Sequence, residues 1–309
     1  MKIFVTGGTG FVGQEVVKVL HASGHSVRIL VRDPESPRVS ELVSKYHVET
    51  QTGTVLETDA IETGVRGMNA VIHLVGIISE IGENTFENVH VRGTQNIVAA
   101  VQGAGIERLV HMSALGTRPG SSSRYHQTKW EAEQAVRQSQ LDYTIFRPSL
   151  IYGPRDQFVK VFERIIRFSP VIPILGAQDV HFQPIAVEEV AAAFARSVME
   201  PKAIGHVYDL CGPEGLTLDE IVDEICQRMG RRRFKLRTPL WLARKLAAFL
   251  EFIFPRLLRK ASPLNRDQLI MLHENNLGNP EPANQIFQLR PLRFREGIRI
   301  GTQQTAKVL

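Results

Sequence analysis

Residues 6–13 read "TGGTGFVG" and follow a short apolar stretch that predicts a buried strand. Apolar spacing across residues 11–24 predicts a helix directly after this turn. Gly7 allows the tight turn, Gly10 lets a diphosphate approach the backbone, and Gly13 lets the helix pack closely on the strand. The free N–H groups at the start of the helix favour a phosphate anion. The turn therefore predicts a dinucleotide site.

Beyond the turn, the chain alternates apolar strands with helical segments. Further strands are predicted at residues 26–32, 69–77, 106–114, 141–149 and 205–212. Strands that are apolar throughout and alternate with helices form a parallel sheet with both faces covered. The predicted fold class is α/β, a Rossmann-type doubly wound parallel sheet with a smaller, discontinuous C-terminal α/β domain.

The pattern divides the 309 residues into two expected domains, which is a division that this length permits. The dinucleotide-binding domain is expected over residues 1–155, and residues 181–212 are expected to return to it. Residues 156–180 and 213–309 are expected to form a small substrate or partner domain, which contains a basic apolar segment at residues 228–260.

The overall composition is that of a globular protein, with 43% hydrophobic and 22% charged residues. Two cysteines give no disulfide framework, and His73, His90, His111 and His126 lie at no metal-ligand spacing, so no metal site is expected. The amino terminus already reads as a strand and leaves no room for a targeting segment. The expected location is cytoplasmic, with a position at the membrane periphery as the alternative.

The basic segment 228–260 holds eleven Lys and Arg residues and one acid, a net charge of +10. Beside apolar residues, this charge favours an anionic membrane surface or a membrane-complex partner, and no nucleic-acid motif accompanies it. Within it, residues 239–255 are too few and too charged to span a bilayer. They predict either a helix in the membrane interface or a helix buried in the small domain or at a subunit contact. In the membrane alternative, the inserted side chains are Trp241, Phe249, Phe252 and Phe254.

The end of the second strand predicts which dinucleotide is bound. An acid at that position would bind the ribose hydroxyls of NAD, but this chain has Arg32 there. A guanidinium suits a 2′-phosphate because it forms bidentate hydrogen bonds. The sequence therefore favours NADP(H), and NAD(H) remains the alternative if the neighbouring Asp33 takes the ribose.

The stretch "RYHQTKWEAE" at residues 124–133 places Tyr125 and Lys129 four residues apart, on one face of a helix. Combined with the glycine turn, it resembles the Tyr-x-x-x-Lys signature of the short-chain dehydrogenases/reductases. "NVHVRGTQN" at 88–96 and "FRPSLIYGP" at 146–154 resemble the extended branch, to which sugar epimerases and dehydratases belong. Within that branch, the chain resembles the group that contains the nucleotide-binding accessory subunit of respiratory complex I and its bacterial relatives.

The resemblance implies roles for particular side chains. Tyr125 would exchange a proton with a substrate oxygen, and Lys129 would lower the tyrosine pKa and bind the nicotinamide ribose. Ser113 is the nearest candidate for the serine that orients the substrate, and Thr117 is a substitute, because the family's serine lies slightly later in the strand. The cofactor-binding residues implied are Gly7, Thr9, Gly10, Phe11, Val12, Gly13, Arg32, Leu74, Val75, Gly76, Lys129, Pro148 and Ser149.

Two functions follow from these assignments. In the first, the protein holds NADP(H) as a structural or redox-sensing cofactor near a membrane or a respiratory complex. In the second, it is an NADPH-dependent oxidoreductase or epimerase-like enzyme that acts on an unknown small molecule, with Tyr125 as general acid. Half-ionising a phenol of pKa about 10 at neutral pH costs about 4 kcal/mol. Reduction avoids that cost because the neutral phenol already carries its proton.

Overall fold

The computed structural model describes residues 1–175, 177–258 and 260–306, and their centre is a seven-stranded sheet. The strands of the described chain are Lys2–Thr6 (β1), Ser26–Val31 (β2), Glu49–Thr52 (β3), Ala70–His73 (β4), Arg108–Met112 (β5), Asp142–Pro148 (β6), Ile151–Tyr152 (β7), Val171–Ile174 (β8), His181–Phe182 (β9), Ile185–Ala186 (β10), His206–Leu210 (β11), Leu216–Thr217 (β12) and Phe234–Arg237 (β13).

Helices follow most of these strands. The α-helices are Phe11–Ala22 (α1), Pro37–Tyr46 (α2), Thr58–Val65 (α3), Gly93–Gly103 (α4), Arg124–Gln138 (α5), Phe158–Phe168 (α6), Val187–Ser197 (α7), Leu218–Arg228 (α8), Leu240–Ile253 (α9), Arg266–Met271 (α10), Glu281–Ile286 (α11) and Phe294–Ala306 (α12). Wider π-type turns lead into α4 at Glu87–Arg92 and follow α9 at Phe254–Leu258, and a 3₁₀ turn spans Pro201–Ala203.

The large sheet is parallel throughout and has the strand order β11-β6-β5-β4-β1-β2-β3. The strand order reverses between β1 and β4, so the chain leaves these neighbouring strands in opposite directions. A ligand crevice is expected outside the carboxyl ends of the strands at such a point. The predicted doubly wound α/β fold is confirmed, and the glycine turn after β1 lies at this crevice.

The sheet is covered on both faces because its side chains alternate in direction. Ile3 and Val5 of β1 pack with α1 and α7 on one face, whereas Phe4 packs with α3 and α4 on the other. A separate apolar cluster, which includes Ile172, Ile221 and Phe294, joins β8, α8 and α12.

Several elements differ from their predicted bounds. The fourth strand ends at His73 rather than near residue 77, because the chain leaves the sheet at the crevice, although the Leu74 N–H still donates to Thr6 at 3.1 Å. The edge strand β3 reads "ETQT" and was not predicted. Polar residues are tolerated in an edge strand, and they give no apolar run from which a strand could be recognised.

Helix α9 is amphipathic in an unusual way, because its small side chains are buried and its large ones are not. Ala243 and Ala247 are buried, whereas Trp241, Phe249 and Phe252 are 61%, 58% and 58% exposed. The prediction that this helix is buried in the small domain is therefore wrong for these three rings. In the described parts of the chain, the helices are too short or too polar to cross a membrane.

Candidate functional site

The glycine turn is built without room for side chains. Gly7 has a φ of +79°, and a Cβ there would lie 3.1 Å from the carbonyl carbon of Leu74. A Cβ on Gly13 would lie 2.1 Å from the Gly7 oxygen, so this glycine allows α1 to pack against the turn. The turn itself is closed by the Gly10 N–H, which donates to the Gly7 oxygen at 2.9 Å.

The first turn of α1 has the features of a phosphate site. Its N-cap residue is Gly10, no side chain caps the helix, and no acid lies in the first turn. The early N–H groups of a helix need an acceptor, and the helix dipole favours an anion there. The Val12 side chain is apolar and buried, so only the backbone of Val12 can contact a phosphate. The carbonyl oxygen of Thr9 already accepts a hydrogen bond from the Gln14 side chain at 2.9 Å. The residues present therefore fit the diphosphate of a dinucleotide.

The segment after β4 lies against this turn. Leu74 and Val75 lie beside Gly7, since its missing Cβ would be 3.1 and 3.2 Å from their backbone atoms. Gly76 in turn lies beside Lys129, whose Nζ would be 3.0 Å from a Cβ at that position. The structure thus brings together three predicted groups that are far apart in sequence: the turn, the end of β4 and the lysine of α5.

Lys129 is almost completely buried below the crevice. Its Nζ donates to the carbonyl oxygen of Met112 at 3.0 Å, at the carboxyl end of β5. Burial lowers the pKa of Lys129 to about 8, although the negative Glu133 on the next helical turn opposes the change. The carboxylate of Glu133 is fixed by two hydrogen bonds from Arg147, at 2.8 and 2.7 Å. Lys129 is therefore held in one place while remaining able to titrate near neutral pH.

Tyr125 lies one turn before Lys129 and is half-buried. Its ring makes edge contacts with Phe86 and His90, with centroids 6.0 and 5.3 Å apart. Burial, and then the nearby carboxylate of Asp267, raises the pKa of Tyr125 to about 12. The phenol therefore keeps its proton near neutral pH, which suits a proton donor better than a proton acceptor.

Four more of the predicted residues lie at or just after the carboxyl ends of β5 and β6. The hydroxyl of Ser113 is buried and donates to the Thr117 hydroxyl at 3.4 Å. The two candidates for the residue that orients the substrate are therefore in direct contact. The hydroxyl of Ser149 donates to the Asn276 side chain at 2.6 Å. Pro148 ends β6, and its oxygen accepts the Leu115 N–H at 2.8 Å.

Three buried histidines lie behind Lys129. His73 bonds Thr6 at 2.6 Å and stacks on His111 with ring centroids 5.3 Å apart. Burial, and then the charge of Lys129, lowers the pKa of His73 to about 3 and that of His90 to about 2. Burial also lowers the pKa of His111 well below its usual value, so all three rings are neutral near neutral pH. Across the described residues, no group of three or more His, Cys, Asp or Glu side chains is placed to hold a metal ion.

Sequence reasoning missed a C-terminal segment that crosses the site, and we call residues 265–279 the strap. Asp267 accepts hydrogen bonds at the start of α5, and Asn276 binds both Ser149 and the Leu115 oxygen. Asn265 donates to the Ile78 oxygen at 2.8 Å. A capping box at the start of α10, Asn265 with Gln268 three residues on, was the one sequence signal for this element.

The sequence matches known families over the same region. A family model described as NAD(P)H-binding matches residues 7–164. Subunit 9 of the NADH dehydrogenase [ubiquinone] 1 alpha subcomplex from Arabidopsis thaliana is 28% identical over 277 residues, which are 88% of this chain and 68% of the relative. Ceramide reductase from Caulobacter vibrioides is 31% identical over 239 residues, which are 77% and 73% of the two chains. The chain spans about two thirds of the length of such relatives.

Solved structures support the fold. The dTDP-glucose 4,6-dehydratase DesIV from Streptomyces venezuelae, with NAD bound, has a TM-score of 0.76 and 18% identity, covering 99% of this chain and 97% of its own. The protein gox2253 has a TM-score of 0.74 and 23% identity, covering 98% of both chains. The family match, the relatives and the crevice geometry agree. The chain belongs to the NAD(P)H-binding family of that model. Its relatives include subunit 9 of the NADH dehydrogenase 1 alpha subcomplex and a ceramide reductase, and its fold is that of the extended short-chain dehydrogenases/reductases.

Proposed function

We propose that the protein holds NADP(H) as a structural or redox-sensing cofactor. The observation that carries this proposal is the start of α1, where Gly10 leaves the helix uncapped and Gly13 leaves no room for a side chain between helix and turn. Lys129 lies beside Gly76, at the end of the segment that packs against the turn, and there it would hold the nicotinamide ribose. The relatives named as subunits of an NADH dehydrogenase support a role within or beside a larger complex.

The preference for NADP(H) over NAD(H) rests on the end of β2. Arg32 is exposed, and its side chain has no hydrogen-bond or ion-pair partner among the described residues. Asp33, which would bind the ribose of NAD, instead accepts the Glu35 N–H at 3.1 Å in its own turn. A free guanidinium and an engaged carboxylate favour a 2′-phosphate over ribose hydroxyls.

Titration of the protein with NADPH and NADH, followed by cofactor fluorescence, tests this preference. We expect NADPH to bind about tenfold more tightly than NADH, and Arg32→Ala to remove that difference, because the guanidinium contacts only the 2′-phosphate. Arg92→Ala serves as the control, since Arg92 is also exposed and has no partner in the described chain. Equal affinity of the wild type for the two dinucleotides would overturn the assignment.

A second function, NADPH-dependent reduction, is favoured by the raised pKa of Tyr125. NADPH bound in the crevice would supply a hydride to a substrate carbonyl. Tyr125 would hold its proton at Oη and deliver it to the carbonyl oxygen, and the Lys129 ammonium would stabilise the phenolate left behind. The relative named ceramide reductase gives this alternative a precedent, although the substrate here is an unidentified small molecule.

The two functions are separated by a turnover assay. Purified protein is mixed with NADPH and a set of carbonyl compounds, quinones and nucleotide sugars, and the loss of absorbance by NADPH is followed. Turnover that Tyr125→Phe abolishes would support the reductase. Cofactor that copurifies and never reacts would support the binding role, and activity that survives Tyr125→Phe would exclude Tyr125 as the acid.

We also propose a cytoplasmic location with α9 at an anionic membrane surface or a membrane complex. The exposed rings of Trp241, Phe249 and Phe252 support this, together with the basic residues around them. Flotation with vesicles of anionic or neutral lipid tests it at low salt. Binding to anionic vesicles that Trp241→Ala weakens is expected, and absence of binding at low salt would exclude the bilayer.

A further inference from the structure

A cavity of about 600 Å³ lies beside the candidate active site, between the loop after β4, the start of α5 and helices α9 and α10. Its walls include Phe86, Arg124, Arg244 and Asp267. Tyr125 lies directly behind two of these residues. Its ring contacts Phe86 with centroids 6.0 Å apart, and its backbone N–H donates to Asp267 at 3.1 Å. The Phe86 ring therefore lies between the cavity and the ring of Tyr125.

The carboxylates of the cavity are already engaged. Glu80 accepts the Phe86 N–H at 2.7 Å. Glu251 accepts two hydrogen bonds from Arg266, one from the backbone at 2.9 Å and one from the side chain at 2.7 Å. Asp267 accepts the N–H groups and hydroxyl at the start of α5. Each of these carboxylates therefore has hydrogen-bond donors of its own, and Glu251 is also ion-paired with the Arg266 guanidinium.

Two cationic side chains of the cavity, in contrast, are not engaged. The guanidinium groups of Arg124 and Arg244 have no hydrogen-bond or ion-pair partner among the described residues, and Ser79 and Ser122 offer hydroxyls that are equally free there. A guanidinium binds phosphate with two parallel hydrogen bonds, which makes it the preferred side chain for that group. We propose that this cavity binds the phosphate group of an anionic ligand through Arg124 and Arg244.

The position of Arg244 indicates what else the ligand carries. Arg244 lies on α9, whose exposed rings of Trp241 and Phe249 extend from the same helix to the surface. A ligand with its phosphate at Arg244 can therefore place apolar groups along α9. The phosphate belongs either to a lipid headgroup or to a free phosphate ester. If the phosphate belongs to a lipid headgroup, the inference rests on the membrane contact proposed above. Binding of a phosphate in the cavity does not depend on that contact.

The experiment compares two double variants of the full chain loaded with NADPH. Arg124→Gln with Arg244→Gln removes both cavity cations. Arg92→Gln with Arg164→Gln removes the same charge from exposed arginines outside the cavity that have no partner in the described chain. Glycerol 3-phosphate binding is measured by calorimetry, and binding to phosphatidylglycerol or phosphatidylcholine vesicles by flotation. NADPH fluorescence and thermal melting verify that each variant is folded and loaded.

We expect the wild type to bind glycerol 3-phosphate or phosphatidylglycerol vesicles, and the cavity variant to bind about tenfold more weakly, as expected for lost charge-assisted hydrogen bonds. The control variant should match the wild type. Binding to the vesicles alone identifies a lipid headgroup, and binding to glycerol 3-phosphate identifies a free ester. If the double variant melts early, each single variant takes its place in the comparison.

Two results would overturn the inference. One is a wild type that binds neither glycerol 3-phosphate nor phosphatidylglycerol. The other is a cavity variant that binds as tightly as the control. Vesicle binding that Trp241→Ala removes and the cavity variant retains would leave the membrane contact in place and exclude the phosphate site. Loss of NADPH fluorescence in the wild type would instead count against the cofactor proposal.

Discussion

The carboxylate of Asp267 accepts the backbone N–H of Tyr125 at 3.1 Å, although 142 residues separate the two in sequence. The same carboxylate accepts the Arg124 N–H at 2.7 Å and the Ser123 hydroxyl at 2.8 Å. One acid from the strap thus satisfies the first N–H groups of the helix that carries the Tyr-x-x-x-Lys pair. The helix end, the phenol and the strap form one connected unit.

Removing this acid should loosen the start of α5. We expect Asp267→Ala to lower the free energy of unfolding by about 1 kcal/mol, because N–H groups at a helix start lose their acceptor. Chemical denaturation measures the change. Glu131→Ala on the exposed side of the same helix is the control and should change stability little. Equal effects of the two substitutions would contradict the capping role of Asp267.

The glycine at the third position of the turn predicts a strong steric effect. Gly13→Ala would place a Cβ 2.1 Å from the Gly7 oxygen, so helix and turn must separate. We expect NADPH affinity to fall by about tenfold or more, because the phosphate site is made of these backbone atoms. Gly103→Ala is the matched control, since a Cβ there meets no atom within 4 Å. Fluorescence titration of both variants should show the loss only at Gly13.

The buried Lys129 makes stability depend on pH. Its pKa is about 8 in the folded chain, against the ordinary lysine value of 10.5, so the unfolded chain binds more protons between these values. The free energy of unfolding should therefore rise as the pH is raised from about 8 to 10.5. The expected rise is about 3 kcal/mol, since each unit of pKa difference contributes about 1.4 kcal/mol. Unfolding of wild type and Lys129→Met across this range isolates the effect. A constant difference between the two would contradict it.

The loss of the Lys129 proton should also be visible in the pH dependence of any reductase activity. The Lys129 ammonium is present below pH 8 and lost above it, whereas the phenol of Tyr125 stays protonated until about pH 12. If the protein turns over, we expect the rate to fall as pH rises through about 8, because the charge that stabilises the phenolate disappears. Steady-state rates between about pH 6 and 10 give the profile. A rate that instead increases through this range would indicate that Tyr125 acts as a base.

The buried Glu133 depends on its partner, Arg147. Glu133 is fully buried, and Arg147 supplies two hydrogen bonds to it, while Arg137 lies farther off at 3.6 Å. Arg147→Met should destabilise the chain by about 3 kcal/mol, since it leaves a buried carboxylate poorly paired. Adding Glu133→Gln to that variant should recover part of the loss. Denaturation of the two single variants and the double variant measures the coupling.

Sequence alone was sufficient for the elements that carry a periodic signal. The turn at Gly7–Gly13 combined a strand, glycine spacing and a helix, and each of these is local. The bounds of α1 and β6 agree with the prediction within two residues. The edge strand β3 lacked such a signal, because its polar residues face solvent and need no apolar alternation.

The parts of the site that sequence did not reveal depend on contacts between distant residues. The pattern placed Tyr125 and Lys129 on one helix face, but it could not show that Asp267 and Asn276 reach the same crevice, because no local spacing relates them. The exposure of Trp241 was open for a similar reason. An apolar helix can be covered by protein or by membrane, and only the positions of Ala243 and Ala247 show which face meets the protein.

The strap also sets an order of events during synthesis. A ribosome makes residues 1–155 well before it reaches Asp267, so the first βαβ units can emerge and pair while the start of α5 still lacks its acceptor. The Tyr125 phenol gains its final surroundings only after residues 265–279 have been translated. A nascent chain therefore acquires its nucleotide-binding half early and its complete crevice late.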